Sequence, residues 1–149
     1  MKKNILNELG KRIVFFDGGM GTLLQERGLE AGELPENWNL KNPDIIRELH
    51  RDYLNAGADI ILANTFGANE LKFPDNLEEI VTKGVQNAKK AVEETGKDGY
   101  VALDVGPTGK LLKPLGTLDF EDAVSIFART IKAGAAAGAD LILIETMSD

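Results

Sequence analysis

Four short apolar runs punctuate the chain: Ile13-Val14-Phe15-Phe16, Ile60-Ile61-Leu62-Ala63, Tyr100-Val101-Ala102-Leu103 and Leu141-Ile142-Leu143-Ile144. They are continuous rather than alternating, the pattern of strands covered on both faces of a parallel sheet. Parallel neighbours cannot be joined by tight hairpins, so the long segments between the runs must carry crossovers.

Those segments read as helices with start and stop signals. The first places Asn42 at the N-cap, Pro43 at the first helical position and Asp44 in the first turn. Its apolar stripe is Ile45, Ile46, Leu49, Tyr53, Leu54 and Ala56, and Gly57 ends it. The second starts at Asn76 with Glu79 three residues on, the spacing of a capping box. Its stripe is Leu77, Ile80, Val81, Val85, Ala88 and Val92, with Gly96 as the stop. The third is capped by Asp119, carries Phe120, Val124, Phe127 and Ile131 on one face, and stops at Gly138. A shorter helix is expected over about Gly21 to Arg27. The alternation predicts an α/β fold of four parallel strands joined by right-handed crossovers.

The chain also repeats itself. Gly57-Ala58-Asp59-Ile60-Ile61-Leu62 matches Gly138-Ala139-Asp140-Leu141-Ile142-Leu143 at an offset of 81 residues, and the match pairs Asn64 with Glu145 and Thr65 with Thr146. Each copy reads as a helix stop, a tight turn, a buried strand and polar residues at the strand's end. Internal duplication and shared turn chemistry both account for it.

Composition narrows the partners. A 149-residue chain with 43% hydrophobic and 28% charged residues suits one globular domain, taken as residues 1–149. The formal net charge of -7 argues against nucleic acid or an anionic membrane surface as the main partner. No apolar run approaches a membrane span, and Met1-Lys2-Lys3-Asn4 does not open a signal peptide, so a cytoplasmic location is expected. The chain has no cysteine, which excludes disulfides, thiolate nucleophiles and cysteine metal ligands among its own residues.

Each apolar run ends in a residue able to grip a polar ligand: Asp17, Asn64, Asp104 and Glu145. In parallel α/β architectures all strand C-termini share one face, and ligands bind there. The four should therefore meet at one rim, as ligand groups or as loop-fixing hydrogen-bond acceptors. Asp17-Gly18-Gly19-Met20-Gly21-Thr22 can offer backbone N–H groups to an anion, or can simply be a tight turn. Its spacing matches neither a dinucleotide fingerprint nor a Walker A loop. Gly106-Pro107-Thr108-Gly109 reads as a turn. His50, the sole histidine, is expected on the solvated side of its helix, and Lys89-Lys90 on the wet face of theirs. Trp38 and Phe66 sit in or beside strand-end loops, as pocket walls or as a satellite core.

Taken together, Phe16-Asp17-Gly18-Gly19-Met20-Gly21-Thr22, Gly57-Ala58-Asp59-Ile60, Asn64-Thr65-Phe66-Gly67-Ala68, Asp104-Val105-Gly106-Pro107-Thr108-Gly109 and Gly138-Ala139-Asp140-Leu141-Ile142-Leu143-Ile144-Glu145-Thr146 resemble the homocysteine S-methyltransferase family. The resemblance is strongest to the homocysteine-binding modules of cobalamin-dependent methionine synthases. It implies a (β/α)8 TIM barrel, of which this chain covers the N-terminal half, with strand order 1-2-3-4. It further implies homocysteine at the strand C-termini and methyl transfer to its sulfur, forming methionine. The substrate-binding positions carried over are Asp17, Gly18, Asn64, Thr65 and Glu145, with Asp104 in an orienting role. A carboxylate can pair with the substrate ammonium while backbone N–H groups take its carboxylate.

The family's zinc is held by cysteines of later strands and makes the substrate thiol a thiolate. The resemblance thus implies zinc and a cobalamin-carried methyl group for the full-length parent. Without cysteine this chain is expected to hold no cofactor, to bind homocysteine weakly and to be inactive alone. A half-barrel also lacks its C-terminal complement. The unpaired outer strands, and inward residues such as Val14, Ile61, Val101 and Ile142 or their neighbours, would favour a homodimer. The alternative is a self-contained, doubly wound small-ligand module, which requires the strand order to reverse about the first strand.

Overall fold

The computed structural model describes residues 4–149. A parallel sheet is formed by β1 (Ile60–Leu62), β2 (Tyr100–Val105) and β3 (Leu141–Ile144), in the order β1-β2-β3. The helices are α1 (Gly21–Glu26), α2 (Trp38–Lys41), α3 (Pro43–Ala56), α4 (Leu77–Thr95) and α5 (Phe120–Ala136). Short 3-10 turns lie at Ile5–Asn7 and Pro35–Asn37. Neighbouring strands follow sequence order with no reversal, which rules out the doubly wound alternative. Among the described residues no helix is long and apolar enough to cross a membrane.

The sheet has three strands, not the expected four. Ile13-Val14-Phe15-Phe16 runs beside β1 but contributes only one parallel bridge, Phe16 to Ile60. Two carboxylates cut its ladder short. The Phe15 N–H goes to Asp59 Oδ2 at 2.9 Å, and the Leu62 N–H goes to Asp17 Oδ2 at 2.9 Å. Side chains thus take the donors that would extend the pairing at both ends.

The layer between sheet and helices holds the main core. Ile61, Ala63, Val101, Leu103 and Val105 pack beneath Leu77, Ile80, Val81, Val85 and Ala88 of α4, with Leu54 of α3 beside them. Ile61 and Val101 therefore face the helices, and their neighbours Ile60, Tyr100 and Ala102 line the opposite face with Val14 and Ile5. On β3 the helix-side residues Ile142 and Ile144 are exposed, as are Ile13 and Phe15 at the other flank.

Helix ends and faces agree with the sequence in part. Gly57 and Gly96 end α3 and α4 in the left-handed region, with φ of 112° and 65°, where glycine carries no steric cost. Asn42, Asn76 and Asp119 occupy the N-cap positions, yet no side chain of theirs caps a backbone N–H. On α5 the buried face is Ala123, Ile126, Thr130, Ala133 and Gly134, while Phe120 and Val124 are exposed. Small residues win there because α5 lies close on β2; a Cβ at Gly134 would sit 2.4 Å from Leu103 Cδ2. His50 corrects its expectation too: it is fully buried.

The repeated Gly-Ala-Asp acquires a physical meaning. In both copies the alanine N–H reaches back into the preceding helix, Ala58 to Tyr53 O at 3.0 Å and Ala139 to Gly134 O at 3.1 Å. The aspartate then clips the neighbouring strand: Asp59 takes the Phe15 N–H, and Asp140 takes the Val101 N–H at 2.8 Å.

Candidate active site

The C-terminal ends of the strands open onto one cavity of about 330 Å³. Asp17 follows the Phe16 bridge, Asn64 and Thr65 follow β1, Asp104 is the penultimate residue of β2, and Glu145 follows β3. All five line the cavity, with Gly18, Gly19, Glu36, Phe66 and Lys72 completing much of its wall.

The three carboxyl groups Asp17, Asp104 and Glu145 give the site its character. Asp17 Oδ2 is held by the Leu62 N–H, but Oδ1 is buried without a partner. Burial, with the charge of Glu145 adding to it, pushes the Asp17 carboxyl up to about 7 against the pull of the Leu62 N–H. Asp104 is only 6% exposed, and its Oδ1 also lacks a donor. Burial raises its pKa well above the carboxylate range, reinforced by a side-chain contact with Glu145 and the charges of Asp17 and Glu36. A ligand presenting a cation would relieve all of these costs at once.

The glycine turn forms another part of the wall, and α3 holds it in place. The Tyr53 hydroxyl donates to Gly19 O at 2.7 Å. A Cβ at Gly18 would come within 3.0 Å of that hydroxyl, so a larger residue there would have to push the Tyr53 ring aside by a few tenths of an ångström. Tyr53 itself is pushed up by burial, then by the Asp17 charge.

Asn64 and Thr65 are in the wall, but their side chains serve the protein. Asn64 Nδ2 donates to Pro35 O at 2.9 Å and to Asn39 Oδ1 at 3.0 Å. Thr65 Oγ1 donates to Asp104 O at 2.8 Å and accepts from the Asp104 N–H at 3.1 Å, tying the β1 loop to β2. Asn39 extends the network, donating to Asn64 O at 2.8 Å and Ile80 O at 3.1 Å, while Asn87 Nδ2 donates to Asn39 O at 3.1 Å. Glu36 takes the Gly67 N–H at 2.5 Å.

Sequence reasoning missed Glu36, Asn39, Tyr53 and Lys72. Tyr53 looked like part of a helix stripe, and no local pattern separates Glu36 or Asn39 from surface polar residues. Phe66 is 42% exposed and walls the cavity, whereas Trp38 packs into a satellite core with Leu24, Leu29, Ile46 and Leu49.

As donors for a metal, the cavity side chains offer mainly carboxylate oxygens, two of them drawn toward the protonated state. The chain has no thiolate, and His50 lies outside the cavity with both ring nitrogens buried and unpartnered. Among the described residues no cluster of three His, Cys, Asp or Glu side chains could hold a metal. These residues do not fit a thiolate-type zinc site.

Comparison with known proteins places the chain in a family. Residues 14–149 match the family model described as homocysteine S-methyltransferase. Methionine synthases from Mycobacterium tuberculosis and Mycobacterium leprae are each 32% identical over 98% of this chain, which spans 13% of their length. The metallated form of the homocysteine methyltransferase MmuM from Escherichia coli superposes with a TM-score of 0.84 at 25% identity, over 99% of this chain and 58% of that one. Its oxidized form gives 0.76 at 29% identity, over 94% of this chain and 56% of that one. By sequence across nearly its whole length, and by fold, the chain belongs to the homocysteine S-methyltransferase family.

Proposed function

We propose that this chain forms the amino-acid-binding half of a homocysteine S-methyltransferase of the methionine synthase type. The reading treats the three strands and the Ile13–Phe16 segment as the first four staves of a (β/α)8 barrel. The observation that carries it is the convergence of Asp17, Asp104 and Glu145 beside the glycine turn in one cavity. Three acids facing a ring of backbone groups suit a zwitterion: its ammonium goes to the carboxylates and its carboxylate to the N–H groups of Gly18 and Gly19. Homocysteine presents both charges on one carbon.

The network of Asn64 and Thr65 supports a division of labour within the six residues singled out from the sequence. Asp17, Glu145 and Gly18 would contact the substrate. Asn64 and Thr65 would keep the wall in register, and Asp104 would act through Glu145. The sulfur end of the substrate gains no anchor from this set. Zinc and a cobalamin-carried methyl group remain implications of the family for a full-length parent, and no step through them is drawn from these residues.

Calorimetric titration of homocysteine and of methionine into the chain tests the reading. Weak binding of both is expected, with Glu145→Ala lowering affinity about 10- to 100-fold, the equivalent of one charge-assisted hydrogen bond. Binding that ignores this substitution refutes the role of Glu145. Metal analysis after dialysis should find no stoichiometric zinc, and an assay should find no methyl transfer by the isolated chain; one zinc per chain would overturn that part.

A further inference from the structure

The cavity brings together two acids that its hydrogen-bond donors do not account for. Asp104 is 6% exposed and its Oδ1 is buried with no N–H or O–H donor in reach, and a second carboxyl, Glu145, lines the same cavity from the adjacent strand end, its own N–H held by Val105 O at 3.1 Å beside Asp104. Two carboxylates repel unless a proton lies between them. A carboxyl–carboxylate pair satisfies the orphaned oxygen, whereas two ions would leave it unpaired beside a like charge.

The other charged groups at the cavity make the same demand. Asp17 adds a third acid after the Phe16 bridge, with its own Oδ1 unpartnered. Glu36, from the turn at Pro35–Asn37, is buried with one oxygen on the Gly67 N–H. Lys72, from the loop after β1, is the one cation among the cavity-lining residues; it is exposed. Tyr53, from α3, gives its proton to Gly19 O. No cation among the lining residues is positioned to neutralise Asp104.

We propose that Asp104 is a positioning residue that holds Glu145 through one shared proton in the empty site, and that an incoming substrate ammonium expels this proton to solvent. The inference rests on the amino-acid-binding role argued above and adds its proton linkage. The balance is simple: the acid pair plus R–NH3+ becomes two carboxylates around R–NH3+ plus one aqueous proton, with no bond to carbon or sulfur altered. A cation close to a carboxyl lowers its pKa by about 1 to 3, enough to bring Asp104 from the alkaline side of neutrality to the acid side. The shared proton keeps Glu145 oriented while the site is empty. Its loss lets both acids face the ligand.

Two measurements decide the matter. Methionine is titrated into the full chain at pH 7 in buffers of different ionisation enthalpy, which counts protons released. About one proton per ligand is expected, with affinity rising up to about 10-fold from pH 6 to pH 7. Asp104→Asn, whose amide can still donate to Glu145, should flatten that pH profile, and Asp104→Ala should weaken binding across it. Zero proton release, or an unchanged profile in Asp104→Asn, overturns the proposal. If wild type binds neither methionine nor homocysteine, the functional reading fails separately. The pair is then read directly by carbon NMR titration of side-chain carboxyls in the ligand-free chain. An aspartate titrating near or above neutrality, and lost in Asp104→Asn, supports the shared proton; all aspartates titrating below about pH 5 refute it.

Discussion

Asn39→Ala should be among the more damaging single changes in this chain, although Asn39 touches no proposed substrate group. The side chain is 1% exposed and makes three hydrogen bonds: to Asn64 O, to Ile80 O and from Asn64 Nδ2. Removing it deletes all three, each worth about 1 kcal/mol net. It also leaves the Asn64 carbonyl buried without its side-chain donor, a further cost of about 1–3 kcal/mol unless water enters the space left behind. Asn64 Nδ2 keeps Pro35 O, which offsets part of the loss. The sum is about 3–5 kcal/mol, a large share of the 5–15 kcal/mol that holds a typical domain together. For a chain of this size it corresponds to a Tm lower by roughly 6–20 °C. Asn39→Asp should be at least as harmful, because it loses both donors and points a charge at two carbonyls. Urea unfolding followed by circular dichroism measures both. A loss below about 0.5 kcal/mol for Asn39→Ala would show that the buried asparagine network is not what joins α2 to α4 and the β1 loop.

The remaining predictions concern pH and have opposite signs. Burial lowers His50 to about 4 from 6.5, so the unfolded chain takes its proton first. Its contribution is complete above pH 6.5 and is lost as pH falls toward 4, by about 3 kcal/mol in all; His50→Leu should flatten that acid limb in urea titrations at pH 7 and 4.5, and an unchanged limb would refute the assignment. Asp17 is raised, so it destabilises the fold progressively as pH rises from about 4 through 7. Asp17→Asn should therefore gain stability at pH 8 relative to pH 5, and a loss at pH 8 would count against a desolvated Asp17.

The fold was legible wherever one local rule decided it. Gly57 and Gly96 had to end helices, and the runs at Ile60–Ala63 and Tyr100–Leu103 are covered on both faces as continuous apolar runs should be, whereas Ile142 and Ile144 are exposed. The failures are non-local. Ile13–Phe16 reads as a strand until Asp59 and Asp17 take the donors that would extend its ladder. Phe120 and Val124 look like a buried stripe until the close approach of Gly134 to Leu103 turns α5 onto its small-residue face. His50 sits at a helical position whose burial depends on what packs across it. The same division holds at the site: strand-end polar residues could be found from the runs alone, while the partners that occupy Asn64 and Thr65 come from Pro35, Asn39 and Asp104, distant in sequence.

The internal repeat sharpens that division. Its matched portion, Gly57–Leu62 against Gly138–Leu143, builds the same object twice: a helix stop, a backbone clasp and an aspartate clipped to the neighbouring strand. Those aspartates lie at the N-terminal ends of β1 and β3, away from the cavity. The equivalence decays at the opposite ends, where chemistry would reside. Asn64 is buried and engaged by Pro35 and Asn39, whereas its counterpart Glu145 borders the cavity against Asp104. Thr65 is fully buried and braces β2, whereas Thr146 is exposed and adopts a positive φ of 59°, uncommon for a non-glycine residue. Positions that do the same mechanical work carry the same residues in both segments. Positions at the cavity do not: Asn64 is tied to Pro35 and Asn39, while Glu145 brings a carboxyl to the wall.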